Sequence, residues 1–403
     1  MNITILQINV IANSGSTGKI TEKIGLSALH EHWNSYIAYG RWACPSKSQL
    51  IKIGNKIDLF NHLIGSRLFD KHGCFSVHAT RKLIEKIKKI NPDIIHLHNI
   101  HGYFLNYKVL FDFLSQYNKP IVWTLHDCWS FTGHCSHYTA AKCNKWQTQC
   151  FKCPIINSYP KSFIDNSKNN YSKKKAIFTQ LQNLHIVTVS EWLHKQVAQS
   201  FLKDYPIHTI YNGINLNTFK PTVSTIRKKL QIENKFIILS VASYWNDLKG
   251  FNDFIKLAKV LDEKYIIVLV GVKKALLKVL PKNIIGIPRT ENVEELVDLY
   301  SAADIYVSFS IEETFGMTIA ESMACGTPAI VYDSTACPEL VTDNTGFIIP
   351  PHDIEKAMDA IVKVEKTGKN VYSHFCRKHI ETCFSEEKIY TQYLSLYKKL
   401  LNL

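Results

Sequence analysis

The chain has 403 residues, of which 46% are hydrophobic and 20% charged. This balance is typical of a folded globular protein and argues against a disordered one. The length suffices for two or three domains. The absence of an apolar run of about 18 residues argues against a membrane-spanning helix, and the start lacks the basic segment of a signal peptide. We therefore expect a cytoplasmic protein.

The net charge of +14 is concentrated in one half of the chain. Residues 1–220 contain 26 Lys and Arg against 11 Asp and Glu, whereas residues 221–403 contain 22 against 23. A basic half joined to a neutral half indicates that one domain meets an anionic partner, such as nucleic acid, a membrane surface or a phosphorylated lipid. The alternative is a solvated, lysine-rich surface without a specific partner.

The first half alternates between strand and helix patterns. An apolar strand at 3–10 is followed by a glycine-containing loop and a helix over 19–30, which is how doubly wound α/β domains begin. Further elements are predicted as a helix at 81–90, a strand at 93–98, a helix at 106–117, strands at 120–125 and 184–189, and a helix from Glu191.

A second α/β series follows a segment rich in turn residues at 206–221, which reads as a domain boundary. Strands are predicted at 236–241, 265–270, 304–309 and 329–332, and helices at 251–262 and 292–302. Nearly continuous apolar strands that alternate with helices predict two parallel sheets covered on both faces. The amphipathic segment 385–403 predicts a terminal helix.

The stretch 308–328 combines groups that suit an activated sugar. Glu313 and Glu321 lie eight residues apart, across a loop that leads from a strand end into a helix. Gly316 permits close approach of the backbone, and the amides of Met317 and Thr318 at the helix start form a site for phosphate. The alternative interpretation is a pair of solvated surface glutamates.

The run EETFGMTIAESMACGTPAIV resembles the E-x7-E signature of the retaining glycosyltransferases of family 4, which have the two-domain GT-B fold. Asn212-Gly213-Ile214, Lys249-Gly250, the run LYSAAD at 299–304 and TACPE at 335–339 resemble other motifs of that family, in the same order. The resemblance spans about 210–350 and is looser in the amino-terminal half. The members it looks most like act in colanic acid, capsule and exopolysaccharide synthesis.

The resemblance implies an acceptor-side Rossmann-like domain at 1–215, a nucleotide-sugar-binding Rossmann-like domain at 216–384 that faces it across a cleft, and a helix at 385–403 that returns to the first domain. It also implies roles for individual residues. Glu313 would bind the transferred sugar, Glu321 the ribose, and Lys249 the diphosphate, assisted by the backbone from Phe315 to Thr318.

One position departs from the family pattern. Relatives usually have an arginine five residues before the lysine, where this chain has Tyr244. Arg289 is the candidate substitute for that second phosphate-binding cation.

In the first domain, His126 follows a predicted strand and resembles a family histidine that lies near the donor sugar. Gly15 and Gly18 resemble a glycine loop near the donor phosphates or the acceptor. From the residue patterns alone, His126 and Asp127 could also be a structural cap or part of a metal cluster, and the two glycines could form an ordinary tight turn.

Cysteines are concentrated within the predicted insertion 128–153. Cys135, Cys143, Cys150 and Cys153 could together hold a structural zinc ion, because four thiolates suit tetrahedral zinc. Free thiols and disulfides are the alternatives, since only one C-x-x-C pair is present. No cofactor is expected for catalysis itself.

The resemblance implies a retaining transferase that moves a sugar from a nucleotide diphosphate sugar to a glycan acceptor carried on polyprenyl diphosphate. The basic domain would then hold the enzyme at the inner face of an anionic membrane. The alternatives are another enzyme on the same fold, such as a sugar phosphorylase or an epimerase, or a basic nucleic-acid-binding protein. The motif-bearing half is the neutral one, so we expect no nucleic acid partner.

Overall fold

The structure is a computed structural model that describes residues 3–403, and this part of the chain forms two compact units. The first unit contains the residues up to Tyr211 together with Ile389–Leu403, and the second is Asn212–Lys388. The divisions lie four residues from the boundaries that the sequence predicts after residues 215 and 384.

The sheet of the first unit is entirely parallel. Within the described residues its strands are β1 Thr4–Asn9, β2 Asn34–Tyr39, β3 Gln49–Lys52, β4 Ile94–Leu97, β5 Ile121–Leu125, β6 Leu184–Thr188 and β7 Ile207–Thr209. Their spatial order is β3-β2-β1-β4-β5-β6-β7. The strands β4 and β5 are buried at every residue, as expected where both faces of a parallel sheet are covered.

The sheet of the second unit repeats this plan. Its strands are β8 Phe236–Val241, β9 Tyr265–Val270, β10 Ile284–Ile287, β11 Ile305–Ser308, β12 Ala329–Tyr332 and β13 Gly346–Ile349. All pairs are parallel and the order is β10-β9-β8-β11-β12-β13. This is the strand order of a Rossmann fold.

Helices connect the strands in both units. In the first unit they are α1 Gly15–His30, α2 Lys56–Phe69, α3 Val77–Ile90, α4 Tyr107–Leu114, α5 Ser167–Phe178 and α6 Glu191–Val197. In the second they are α7 Ile226–Lys229, α8 Phe251–Val260, α9 Lys274–Leu277, α10 Val293–Ala302, α11 Met317–Ala324, α12 Ile354–Thr367 and α13 Lys369–Cys383. The last helix, α14 Glu386–Leu400, begins in the second unit and continues into the first.

Short 3-10 turns complete the description at Trp129–Phe131, Lys145–Gln147, Asp247–Lys249 and Cys337–Leu340. Two of them lie in the cysteine-rich segment, which contains no strand among the described residues. No helix within residues 3–403 is both long enough and apolar enough to cross a bilayer.

The eight strands predicted from apolar runs and the predicted helices are confirmed, although two helices begin one turn earlier than predicted. The helix predicted from about Lys19 begins at Gly15, and the helix predicted from residue 81 begins at Val77. Ser14 is extended at the N-cap position, and Gly18 already lies in the first helical turn. The two glycines therefore belong to the helix start rather than to a preceding loop.

Several elements carried no clear sequence pattern. The edge strand β3 buries only Ile51, so its residues do not alternate clearly between apolar and polar. The helix α2 has an outward face rich in large apolar side chains, including Ile57 and Phe60. Such a face obscures the usual contrast between buried apolar and exposed polar positions.

In both sheets the strand order changes direction at the first strand. The next two strands lie on one side of it, and the later strands lie on the other side. In the first unit this point lies between β1 and β4, and in the second between β8 and β11. Ligands of open α/β sheets bind beyond the carboxyl ends of the strands at such a point. The loop 242–250 follows β8 and the loop 309–316 follows β11, so the predicted donor-binding residues Lys249 and Glu313 meet there.

The carboxyl-terminal part of α14 is built into the core of the first unit. Tyr393 and Tyr397 are buried among apolar side chains of that unit. The hydroxyl of Tyr397 lies 2.6 Å from Nδ1 of His96, whose Nε2 lies 2.7 Å from Oγ1 of Thr124. The helix thus both covers apolar surface and pairs polar groups that the sheet buries.

We expect Tyr397→Ala to lower the free energy of unfolding by about 3–5 kcal/mol, because it removes a large buried side chain. Tyr397→Phe keeps the ring and should cost about 1–2 kcal/mol, since it removes the hydroxyl from beside His96. Urea unfolding followed by the fluorescence of Trp33, whose ring lies 6.4 Å from that of Tyr397, measures both. The exposed Ser395→Ala on the same helix is the control, and equal stability of Tyr397→Ala and this control would contradict the packing role.

Candidate active site

The loops that follow β8 and β11 are joined to each other by close packing. Gly250 has φ +72°, and a Cβ atom placed there would lie 2.2 Å from Cβ of Phe309. The amide of Ile311 also donates a hydrogen bond of 2.9 Å to the carbonyl of Leu248. Only glycine combines this backbone conformation with so close an approach. The two loops therefore form one rigid surface at the carboxyl edge of the sheet.

Lys249 and Glu313 face each other across this surface. Nζ of Lys249 lies 2.5 Å from Oε1 of Glu313, and about a fifth to a quarter of each side chain is exposed. Burial disfavours the ammonium form of Lys249, but the Glu313 carboxylate outweighs this effect, so the pKa of Lys249 is raised. The lysine is therefore a permanent cation at neutral pH, with further N–H groups to donate.

A third loop, which contains Thr335 and Ala336, is hydrogen-bonded to the backbone of Glu313. The Glu313 amide donates to Oγ1 of Thr335 at 3.0 Å, and the Glu313 carbonyl accepts from the amide of Ala336 at 3.2 Å. Oγ of Ser334 donates to the carbonyl of Ile311 at 2.7 Å. The segment around TACPE, noticed in the sequence as a motif, thus positions the backbone that carries Glu313.

The helix α11 begins directly after this loop. Gly316 is its N-cap residue with φ +100°, a conformation that glycine adopts without strain, and Met317 and Thr318 are the first two residues of the helix. The first amides of a helix have no partner within it and lie at the positive end of its dipole. Phe315 is buried, and its ring lies 5.7 Å from that of Phe384.

Glu321 lies farther along α11 and is oriented by a tyrosine that sequence reasoning missed. The hydroxyl of Tyr300 donates to Oε2 of Glu321 at 3.0 Å. A second tyrosine, Tyr306 of β11, donates to Oγ1 of Thr318 at 2.8 Å. Burial, followed by the nearby Glu321 carboxylate, raises the pKa of Tyr300, which keeps its hydroxyl protonated as a donor. The run LYSAAD, which contains Tyr300, was the available signal.

The structure does not bring Arg289 into this group. Arg289 is exposed beyond the end of β10, which is the edge strand and is separated from β8 by β9. Tyr244, which occupies the position of the usual arginine, is about half exposed in the loop after β8. The assignment of Arg289 as the second phosphate-binding cation stays a prediction.

In the first unit, His126 follows β5 and is joined to a chain of polar side chains. Its Nε2 lies 3.1 Å from Nδ1 of His98, and Nε2 of His98 lies 3.1 Å from Oε1 of Gln7. The Gln7 amide nitrogen donates to the carbonyl of Thr21, so its oxygen must accept from His98. When both imidazole rings are neutral, His98 donates through Nε2 and accepts at Nδ1. His126 therefore carries its proton on Nε2 and its lone pair on Nδ1.

Burial lowers the pKa of His126 to about 4, although the neighbouring Asp127 opposes this effect. Asp127 accepts from the amide of Trp129 at 2.9 Å, and its Oδ2 lies 2.8 Å from Nε2 of His101. Burial alone would raise the pKa of Asp127, but His101 outweighs burial and lowers it to about 2. A neutral imidazole therefore lies beside a permanent carboxylate.

Gly15 and Gly18 lie at the carboxyl end of β1, in the first turn of α1. A Cβ atom on Gly18 would lie 3.1 Å from Cγ1 of Ile11 and 3.3 Å from the amide nitrogen of Asn13. Gly15 has φ +56°, a conformation in which other residues are strained. Both glycines thus allow the helix start to pack closely on the preceding loop.

The four cysteines of the predicted zinc site line one small cavity of about 20 Å³, together with His134. Burial, and then the neighbouring Cys153 and Cys150, raise the pKa of the Cys135 thiol, which agrees with their proximity. All four are free thiols, and within residues 3–403 no three His, Cys, Asp or Glu side chains have the arrangement of a ready-formed metal site. The structural zinc stays a prediction.

Comparison with known proteins accounts for both halves of the chain. Residues 41–218 match the family model described as Glycosyltransferase Family 4, and residues 222–377 match the model described as Glycosyl transferases group 1. The chain belongs to these glycosyltransferases. The family resemblance predicted from the E-x7-E motif is thereby confirmed.

Two relatives have names that refer to colanic acid and to O-antigen. WcaC of Escherichia coli strain K12, a putative colanic acid biosynthesis glycosyl transferase, is 24% identical over 371 residues, which are 87% of this chain and 88% of that protein. The O-antigen chain mannosyltransferase RfbU of Salmonella typhimurium is 30% identical over 214 residues, or 51% of this chain and 56% of the relative.

Solved structures show the same fold. Sucrose-phosphate synthase from Thermosynechococcus elongatus superposes with a TM-score of 0.74 at 18% identity, covering 99% of each chain. HepE of Anabaena, solved with UDP and glucose, gives 0.67 at 14% identity over 97% of this chain and 98% of that one. At these identities the likeness establishes the GT-B fold, as the sequence predicted.

The depressed pKa of His126 predicts a stability that depends on pH. Between about pH 4 and pH 6.5 the unfolded chain binds a proton at this residue that the folded chain does not, so the free energy of unfolding falls as the pH falls. We expect His126→Asn to reduce this slope by up to about 1.4 kcal/mol per pH unit. Urea unfolding at several pH values measures it, and the exposed His78→Asn in the same unit is the control. An unchanged slope in His126→Asn would refute the lowered pKa of His126 in the folded protein.

Proposed function

We propose that the protein is a retaining glycosyltransferase that uses a nucleotide diphosphate sugar and extends a lipid-linked glycan during surface polysaccharide synthesis. The ion pair between Lys249 and Glu313, fixed at the point between β8 and β11, is the observation that carries the proposal. It places a permanent cation and a carboxylate side by side, one suited to a diphosphate and the other to sugar hydroxyls.

The surrounding groups support the same orientation of the donor. The start of α11 offers backbone amides and a positive dipole end for the phosphates, close to the loop that carries Lys249. Glu321, held by Tyr300, presents a carboxylate that can accept from the hydroxyls of a ribose. HepE, whose structure was solved with UDP and glucose, and the relatives WcaC and RfbU, named for polysaccharide synthesis, agree with this substrate class.

In the proposed reaction the protein acts mainly by stabilising the leaving group. Glu313 is engaged by Lys249, which makes it better suited to hold the sugar than to attack its anomeric carbon. We therefore propose a front-face substitution with retention, in which the leaving diphosphate accepts the proton of the acceptor hydroxyl. Lys249 and the α11 amides would stabilise the negative charge that develops on the diphosphate.

The acceptor side of the proposal is supported by the surface of the first unit. Residues 1–220 carry a strong excess of basic side chains, and the outward face of α2 exposes Ile57, Phe60 and Ile64 to solvent by 40% to 70%. An exposed apolar helical face on a basic domain is typical of proteins that rest on anionic membranes. We propose that this face contacts the membrane in which the acceptor lies.

We expect Glu313→Ala to reduce sugar transfer by about 100-fold or more, because it removes the proposed contact with the transferred sugar. Glu321→Ala should instead weaken nucleotide binding by about 10- to 100-fold, the loss expected for a hydrogen bond to a charged group. Slow hydrolysis of a panel of nucleotide sugars by the purified protein, in which water replaces the acceptor, measures the transfer, and binding of the same nucleotide sugars measures the affinity.

The control for these variants is Glu355→Ala, which changes an exposed glutamate on α12 of the same unit. Circular dichroism should show that all three variants remain folded. If no nucleotide or nucleotide sugar stabilises or binds the wild-type protein, the proposed function is wrong. Full transfer activity of Glu313→Ala would refute the role of that residue alone.

Replacing Phe60 and Ile64 by glutamate should reduce binding to vesicles of anionic phospholipid at least tenfold. The two added negative charges on the apolar face are repelled by the anionic head groups. Co-sedimentation with phosphatidylglycerol vesicles measures this. Phe375→Glu, at an exposed phenylalanine of the second unit, is the control. Equal sedimentation of all these proteins would contradict membrane contact through α2.

A further inference from the structure

A buried tyrosine in the sheet of the second unit connects the end of β8 to the first turn of α11. The hydroxyl oxygen of Tyr306, on β11, accepts from the amide of Val241, the last residue of β8, at 3.4 Å. The same hydroxyl donates to Oγ1 of Thr318 at 2.8 Å, whereas the carbonyl of Val241 lies farther away at 3.4 Å. Because a hydroxyl has a single hydrogen, the shorter bond to Thr318 is the one that forms.

This bond determines the direction of the Thr318 hydroxyl. Oγ1 of Thr318 accepts from Tyr306, so the hydrogen of Thr318 must point away from the tyrosine. Among residues 3–403 that hydrogen has no acceptor of its own. The side chain of Thr318 is only partly buried, whereas that of Tyr306 is fully buried. A ligand can therefore reach the threonine but not the tyrosine that orients it.

Thr318 lies between the two glutamates of the proposed donor site. The loop that carries Glu313 precedes it, and Glu321 follows three residues later on the same face of α11. Burial raises the pKa of Tyr306, and the carboxylates of Glu313 and Glu321 raise it further, so both charges act on the hydroxyl that is bonded to Thr318. In a nucleotide diphosphate sugar the diphosphate joins the sugar to the ribose. A donor held by both glutamates therefore brings its diphosphate to Thr318.

We infer that Tyr306 is a positioning residue for the sugar donor, because it directs the hydroxyl hydrogen of Thr318 to an oxygen of the diphosphate. The inference rests on the proposed function and adds to it a side-chain donor that is neither a cation nor a backbone amide. A hydrogen bond to a phosphate oxygen is charge-assisted. It strengthens as negative charge develops on the leaving diphosphate, and the bond from Tyr306 polarises the threonine hydroxyl in the same direction.

Nucleotide binding to the full-length protein tests the role of Thr318. UDP, GDP and ADP are titrated by calorimetry, and the diphosphate that binds most tightly is compared with its own nucleoside, measured by competition. We expect Thr318→Val, which keeps the shape of the side chain, to weaken binding of the diphosphate by about tenfold or more. The nucleoside has no phosphate, so its affinity should change by less than about twofold. Thr318→Ser keeps the hydroxyl and should largely restore binding of the diphosphate.

The positioning role is tested by Tyr306→Phe, which keeps the ring. We expect it to weaken binding of the diphosphate by about three- to tenfold, because the Thr318 hydroxyl remains but is no longer held in one direction. In the Thr318→Val background the same substitution should have no further effect, since Tyr306 acts through that hydroxyl. An equal loss in both backgrounds would show that Tyr306 acts independently of Thr318, and the inference would be wrong.

Tyr265→Phe is the matched control. Tyr265 is also a buried tyrosine of this sheet, and its hydroxyl donates to Oε2 of Glu365 at 2.6 Å. It is the first residue of β9, so it lies at the amino edge of the sheet, away from the strand ends that carry the proposed site. This variant should bind the diphosphate like the wild type, and circular dichroism should show that all variants are folded. A loss in Tyr265→Phe equal to that in Tyr306→Phe would overturn the inference.

Failure of this inference is distinguishable from failure of the proposed function. If a nucleoside diphosphate binds the wild type and Thr318→Val equally well, or if Thr318→Val weakens the nucleoside as much as the diphosphate, the inference alone fails. If no nucleotide or nucleotide sugar binds the wild type, the proposed function fails and the inference fails with it.

Discussion

The contact between Gly250 and Phe309 determines much of what the second unit can do. It holds the loop after β8 against the loop after β11, where the strand order changes direction. Across these packed loops, Nζ of Lys249 lies 2.5 Å from Oε1 of Glu313, and α11 starts directly after the second loop. A cation, a carboxylate and a helix start are thereby held together by backbone packing rather than by side-chain flexibility.

The first unit uses the same kind of edge for different chemistry. The residues after β4 and β5 form a buried network in which His98 links Gln7 to His126, and His101 links Asp127 to Tyr159. Burial keeps His98 and His126 neutral, whereas Asp127 stays ionised. Beyond Tyr159 lies a cavity that residues of α2 line. Polar groups thus extend from the strand ends to the apolar face of α2.

Sequence reasoning was most successful where burial and backbone geometry restrict the residue type. The apolar strands were predictable because parallel strands are covered on both faces, and the spacing of Glu313, Gly316 and Glu321 identified the loop-to-helix junction. Sequence reasoning was least successful where tertiary packing alone determines the position of a residue or segment. The strand β3 at the sheet edge and the outward apolar face of α2 carry no regular pattern. Tyr300 and Tyr306 look like ordinary core residues until their hydroxyls are located.

The sequence by itself determined the fold class, the family and the loop-to-helix junction that carries Glu313 and Glu321, because strand periodicity, glycine positions and acidic spacing are local properties of the chain. Only the tertiary structure decided which of these residues meet. It paired Lys249 with Glu313, left Arg289 at an edge strand, joined His126 to His98 across 28 residues, and directed the hydroxyl of Tyr306 to Thr318. Such pairings depend on strand order and on close packing between distant segments, which no local pattern encodes.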